Sequence, residues 1–169
     1  PGFEAEATLI DAGAPVVIIS AAQAGLDAVD FADWPAQALA ESEKLEKIRR
    51  AGAVAMGLSD SAESAQRAIP KLAIAQAPDP GGDEGDFRVM MLSMGAPHPA
   101  LAITGSVALT MAARKRGTII ANLLSTEPGE VLRMQTPAGQ IQTWQRQIEG
   151  RTAVGTTRTA RELAEAQLS

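Results

Sequence analysis

The sequence predicts an α+β fold: a mostly antiparallel sheet curled around one very apolar helix. Three observations predict it. Apolar or β-branched runs of strand length, Pro15–Ser20, Lys71–Gln76 and Phe87–Met94, are set off by Gly- and Pro-containing turns. The stretch Thr104–Ala113 is helical in composition yet apolar nearly all round, so protein must surround it. The segment Trp34–Met56 instead has apolar residues on one side and charges over much of the rest, as a helix lying outside a sheet does.

Along the chain, residues 4–10 and 15–20 read as strands joined by Asp11-Ala12-Gly13-Ala14-Pro15, which has turn chemistry. Ala21–Leu26 reads as a short helix. The long helix starts near Trp34, with Asp33 as its cap and Pro35 tolerated in the first turn. Leu45, Ile48 and Ala55 fall on one face with Leu39 and Met56 at its edges, whereas Glu43, Lys44, Glu46, Lys47, Arg49 and Arg50 cover much of the remainder. Glu43 with Lys47 and Glu46 with Arg50 are favourable pairs four residues apart, and Gly57 supplies a left-handed end. Ser61–Ala68 suggests a helical turn or two before Pro70 interrupts. Residues 78–86 form a loop by composition. In Phe87–Met94 both alternating sets are largely apolar, so both faces are expected to be covered. After the apolar helix, Thr118–Leu124, Glu130–Gln135, Gln140–Gln147 and Thr152–Thr157 read as strands, and residues 158–168 have mixed character.

Bulk properties narrow the function. The 169 residues suit one domain, and 46% hydrophobic residues is ordinary for a globular chain. No run approaches the ~18 continuous apolar residues of a membrane span, and signal-peptide regions are absent, so a soluble, cytoplasmic protein without membrane partners is expected. The net charge of −5, three Phe, two Trp and no Tyr argue against a nucleic-acid partner. With no Cys and one His, the chain offers no thiolate nucleophile, no disulfide and no zinc-ligand spacing, so no metal is assigned. An anionic ligand would have to be held by local donors.

The leading candidate for such donors is His98-Pro99-Ala100-Leu101-Ala102-Ile103-Thr104-Gly105-Ser106. The first amides of a helix lack internal partners and face the positive end of its dipole. With Thr104 as N-cap and small residues at Gly105 and Ser106, they can receive a carboxylate in a low-dielectric pocket. The alternative is that Thr104 merely caps a core helix. His98 can position an acid or exchange a proton, or can be structural. The Asp11–Pro15 turn can line a pocket mouth, with Asp11 as a polar anchor, or simply connect strands. The turn Thr136-Pro137-Ala138-Gly139 is a weaker candidate of the same kind. Arg158 and Arg161 could pair with substrate carboxylates, but a solvated or structural role suits them better.

In this order and spacing the segments resemble the PrpF family. The resemblance is carried by Ala7-Thr8-Leu9-Ile10-Asp11-Ala12-Gly13-Ala14-Pro15, Leu45-Glu46-Lys47-Ile48-Arg49 and Ala55-Met56-Gly57-Leu58. It continues through Ile69-Pro70-Lys71-Leu72-Ala73, His98-Pro99-Ala100 running into Thr104-Gly105-Ser106, Arg133–Gly139 and Arg158–Leu163.

That resemblance implies the diaminopimelate epimerase-like fold and a protein about twice this length with two similar domains. This chain would be the second, with residues 158–169 crossing to the first. It implies isomerisation of aconitate, methylitaconate or 4-oxalomesaconate by moving a proton and a double bond, a tautomerase chemistry without cofactor. The acid/base lysine and cysteine would come from the first domain, leaving this half inactive alone. The partners implied are a small polycarboxylate and the protein's own N-terminal domain; a homodimer is compatible. The substrate-binding residues implied here are Thr104, Gly105, Ser106, His98, Asp11 and Ala14. Ala14 stands where the family often has an Asn donor, Pro99 where a basic residue or histidine often follows His98, and Thr136 where a His often begins the late turn. These departures leave room for a non-catalytic module of the same fold. An amino-acid epimerase reading fits less well, because such enzymes use a cysteine in each half.

Overall fold

A computed structural model of the protein describes residues 4–80 and 85–157. Residues 158–169, with Arg158, Arg161 and the expected crossover, lie outside the described residues. The described strands are β1 (Thr8–Asp11), β2 (Pro15–Ser20), β3 (Lys71–Gln76), β4 (Phe87–Ser93), β5 (Ala96–Pro97), β6 (Val131–Thr136), β7 (Gly139–Ile148) and β8 (Arg151–Thr156). They form one sheet in the order β1-β2-β3-β4-β6-β7-β8, with β5 added beside β4. The pairs β2–β3 and β4–β6 are parallel and the others antiparallel. The fold is α+β, as expected.

The helices are α1 (Ala21–Ala24), α2 (Trp34–Ala40), α3 (Ser42–Ala55), α4 (Ile103–Ala113) and α5 (Ile119–Leu123). α4 touches β1 and β2 at one end of the sheet and β7 and β8 at the other. A flat sheet cannot do this, so the sheet curls around α4. β1 and β8 do not pair, and the curl stays open.

Strands β2, β3 and β4 separate two cores. Val16, Ile18, Ala73, Phe87, Val89 and Met91 face inward onto Ala108, Leu109 and Ala112 of α4. Val17, Ile19, Leu72, Ile74, Met90 and Leu92 face outward onto Trp34, Ala38, Leu45 and Ile48. Both faces of β4 are covered, which is why its sequence reads as continuous apolar residues rather than alternation.

Several expectations change. Residues 4–7 are not strand; β1 begins at Thr8. The long helix is two helices broken at Glu41, whose φ of −89° and ψ of 11° leave the helical path. The break turns Leu39 outward, 53% exposed, and lets α2 bury Trp34 and Ala38. Asp33 provides no side-chain cap. On α3 the buried face is Leu45, Ile48, Arg49, Gly52 and Ala53, so Ala55 lies outside it and Arg49 inside. Gly57, at φ +69°, ends α3 as expected, donating to Val54 O while Leu58 donates to Ala53 O. Ser61–Ala68 forms turns rather than a helix.

The expected strand Thr118–Leu124 is the helix α5. Thr118 Oγ1 accepts from the Ala121 amide at 3.1 Å and donates to Ala112 O at 2.6 Å, while Thr8 Oγ1 takes the Ile119 amide at 2.9 Å. The side-chain cap and these contacts outweigh the β-propensity of Thr-Ile-Ile.

α4 is tied to β7 by two buried hydroxyls. Thr110 Oγ1 donates to Ser106 O at 2.7 Å and lies 2.7 Å from Thr143 Oγ1. Its proton is committed, so Thr143 donates to it. Thr110→Val would strand the Thr143 hydroxyl in the core and is expected to cost about 1–2 kcal/mol in urea unfolding. Thr110→Ser should retain most of that stability, and adding Thr143→Val should recover part of the loss.

Candidate functional site

An open cleft of about 450 Å³ lies where α4 begins, bounded by Leu101, Ile103 and Ser106 on one side and by Thr136, Gln142 and Thr156 on the other. The helix start differs in detail from expectation. The residue flanking α4 is Ala102, extended at φ −64° and ψ 134°, with no side-chain cap; Thr104 is the second helical residue and exposed. The first hydrogen bond within this turn runs from the Ser106 amide to Ala102 O at 2.9 Å. Ser106 is therefore not an amide donor to a ligand, as its sequence position suggested. At the start of α4 the amides of Ile103, Thr104 and Gly105 have no partner among the described residues. An N–H at these positions points out of the helix start, where the dipole favours an anion.

The buried Ser106 side chain lines the cleft, and its Oγ donates to Ile103 O at 2.7 Å. This leaves its oxygen lone pairs, not its proton, toward the cleft. Gly105 has another role. A Cβ there would lie 2.5 Å from Met91 Cε, so glycine leaves room for the end of the Met91 side chain against α4. Gly105→Val would therefore disturb this packing rather than obstruct a ligand, and it is no clean probe of the site.

The Asp11–Pro15 turn does reach the first turns of α4. Gly13, at φ +79°, lies close enough that a Cβ added to it would sit 3.6 Å from Thr104 O and from Val107. Asp11 is exposed at the end of β1, and Ala14 is half-buried in the turn; neither lines the cleft. His98 is half-buried. Its amide donates to Met91 O at 2.7 Å, and its Nδ1 accepts from the Ala100 amide at 3.3 Å. The imidazole thus braces the segment leading into α4, and in the neutral ring the proton sits on Nε2.

The opposite wall comes from β7, β8 and the β6–β7 turn. Thr136 Oγ1 donates to Gly139 O at 2.7 Å and accepts the Ala138 amide at 3.3 Å, so it stabilises its own turn. Gln140, Gln142 and Thr156 complete this wall. The turn was legible as a weak candidate, but the glutamines were not. They are spaced like any exposed strand residues, and only the curl of the sheet brings them opposite α4. No cluster suited to a metal ion occurs among the described residues, and no helix in them is long and apolar enough to cross a membrane.

Comparison with known proteins adds an independent line. The family described as "PrpF protein" matches residues 1–169. The protein YraM of Bacillus subtilis is 32% identical over 170 residues, covering 94% of this chain and 44% of its own length. The 2-methyl-aconitate isomerase of Shewanella oneidensis is 32% identical over 147 residues, covering 80% of this chain and 37% of the relative. The crystal structure of a methylitaconate-delta-isomerase superposes with a TM-score of 0.76 at 21% identity, over 90% of this chain and 45% of that one. The chain thus spans less than half the length of these relatives, and its fold is the diaminopimelate epimerase-like one expected.

Proposed function

The chain belongs to the PrpF family, and from that premise we propose that it is one domain of a two-domain isomerase that shifts a proton and a C=C bond in a small unsaturated di- or tricarboxylic acid. Aconitate, methylitaconate and 4-oxalomesaconate define the substrate class. The supporting observation is the start of α4, where the amides of Ile103, Thr104 and Gly105 have no partner among the described residues and Ile103 and Ser106 line an open cleft, with an apolar core behind.

The chemistry follows from where charge develops. Removing a proton from carbon allylic to a carboxylate delocalises an electron pair over the double bond and that carboxylate. Returning a proton to the far carbon of the allyl unit completes the shift, with no redox change and no cofactor in the scheme. Amides fixed at a helix start stabilise the charge without reorganising. The acid and base come from the other domain, so the chain alone binds without turning over. His98 holds the approach to α4, and the Asp11–Pro15 turn with Ala14 buttresses its first turns.

Ile103→Pro tests this reading. Ile103 is the first helical residue, where proline is well tolerated, and the extended Ala102 before it already has the conformation that precedes proline. The substitution removes one free N–H and an exposed side chain while keeping the helix. In the full two-domain protein we expect kcat/KM for the preferred acid to fall by about tenfold or more, since a hydrogen bond to a charged group is worth ~1.5–3 kcal/mol. Ile103→Val, which retains the N–H, should stay near wild type. Equal activity of the proline and valine variants would remove the helix start from the mechanism.

A further inference from the structure

The cleft is larger than one carboxylate at the helix start can fill; small-molecule sites span roughly 300–1,000 Å³, and this one measures about 450 Å³. Its far wall has a defined polar arrangement. Gln140 and Gln142 are alternate residues of β7, and Gln142 Nε2 donates to Gln140 Oε1 at 3.2 Å. The strand is held at this point because Thr156 Oγ1 of β8 donates to the Gln142 carbonyl at 2.8 Å. One N–H of Gln142 and the acceptor of Gln140 are thereby paired with each other. Among the described residues, nothing takes either N–H of Gln140 or the second N–H of Gln142, which leaves them for a ligand. A linked amide pair rich in free donors suits a group that only accepts, and a carboxylate is such a group.

We propose that Gln140 and Gln142 form the subsite for a second carboxylate of the substrate, and that they set the preference for polycarboxylates over monocarboxylates. This rests on the reading of the α4 start as the first carboxylate site. Ile103 of the first site and both glutamines line the same cleft, so an acid with carboxylates on separate carbons would be anchored at both ends. The donors are neutral, and glutamine amides favour a carboxylate by hydrogen bonding alone. The selectivity is therefore expected to survive moderate salt better than that of an arginine clamp.

The test uses two acids that cannot isomerise, propane-1,2,3-tricarboxylate and butanoate, with the full two-domain protein. Affinities are measured by calorimetry or ligand-observed NMR. In the variant carrying Gln140→Leu and Gln142→Leu, the Kd of the tricarboxylate should rise about tenfold or more while that of butanoate stays within twofold. Gln142→Glu keeps the shape but adds a negative charge, and should weaken the tricarboxylate further and spare butanoate. Both glutamines are exposed, so these variants fold, and an unchanged melting temperature verifies it. An unchanged ratio of the two affinities in both variants overturns the proposal. Ile103→Pro separates the two levels of the argument. If it weakens both acids while the glutamine variants change nothing, only the second subsite fails. If it weakens neither, the first carboxylate site fails as well.

Discussion

Glu46→Gln is expected to lower stability by about 2 kcal/mol near neutral pH, and the deficit should shrink by more than half as the pH falls from 6 to 3. Arg49 is 3% exposed, and its guanidinium meets Glu46 twice, Nε to Oε2 at 2.7 Å and Nη2 to Oε1 at 2.8 Å. Arg49 Nη1 also donates to Ile69 O at 2.9 Å, which fastens α3 to the segment entering β3. Arg50 Nε donates to the same carboxylate at 2.7 Å. The Arg49 hydrogen bonds hold the Glu46 carboxyl well below its ordinary 4.5, at about 2; burial opposes this, and Arg50 assists. A carboxylate with a depressed folded-state pKa stabilises the fold above its unfolded value and loses that contribution as acid protonates it. The window therefore runs from about pH 4.5 down toward pH 2. The full shift would correspond to roughly 3 kcal/mol. Solvent reaches a quarter of the Glu46 side chain, which reduces this to about 2. Urea unfolding of wild type and variant at pH 6 and pH 3 measures both arms. A deficit independent of pH would mean that the pair does not carry this stability.

The second large effect is at Gly52. In an exposed helix interior, glycine to alanine gains ~1 kcal/mol. Here the sign should reverse, because an added Cβ would lie 2.3 Å from Val17 Cγ2, and Val17 is fully buried in β2. Val17 is β-branched with few rotamers to escape into, so α3 would have to move off the sheet. Overpacking of this kind costs about 1–3 kcal/mol, and thermal unfolding should show a net loss of about 2 for Gly52→Ala. Combining it with Val17→Ala should make the two changes less damaging together than their sum, which a double-mutant cycle measures.

What the sequence revealed depended on how local the determining physics was. Pro15–Ser20 and Lys71–Gln76 are strands at the positions read from their apolar runs, because burial on both sides leaves no competing pattern. Thr104–Ala113 was legible as an inner helix for the same reason, one residue short at its start. The break at Glu41 was not legible. No Gly or Pro marks it, and it arises because Trp34 and Leu45 must reach the same outer core from different directions. Thr118-Ile119-Ile120 misled because β-branching dominates its composition, whereas the fold uses Thr118 as a cap. The same division runs through the site. The sequence located the helix start, but it put the cap at Thr104 rather than Ala102 and so counted the paired Ser106 amide among the free ones. The glutamines lining the same cleft as the helix start are more than thirty residues away along the chain and carry no local signature.

The two-sided sheet has a consequence for synthesis. The strands β2 to β4 and the helices that pack on their outer side all lie before residue 94, so they leave the ribosome first. The helix that fills the concave side ends at Ala113. Until that residue has emerged, Val16, Ile18, Val89 and Met91 present a bare greasy trough to solvent. Synthesis therefore passes through a stage at which the nascent chain is most in need of a chaperone, and it ends when α4 drops in.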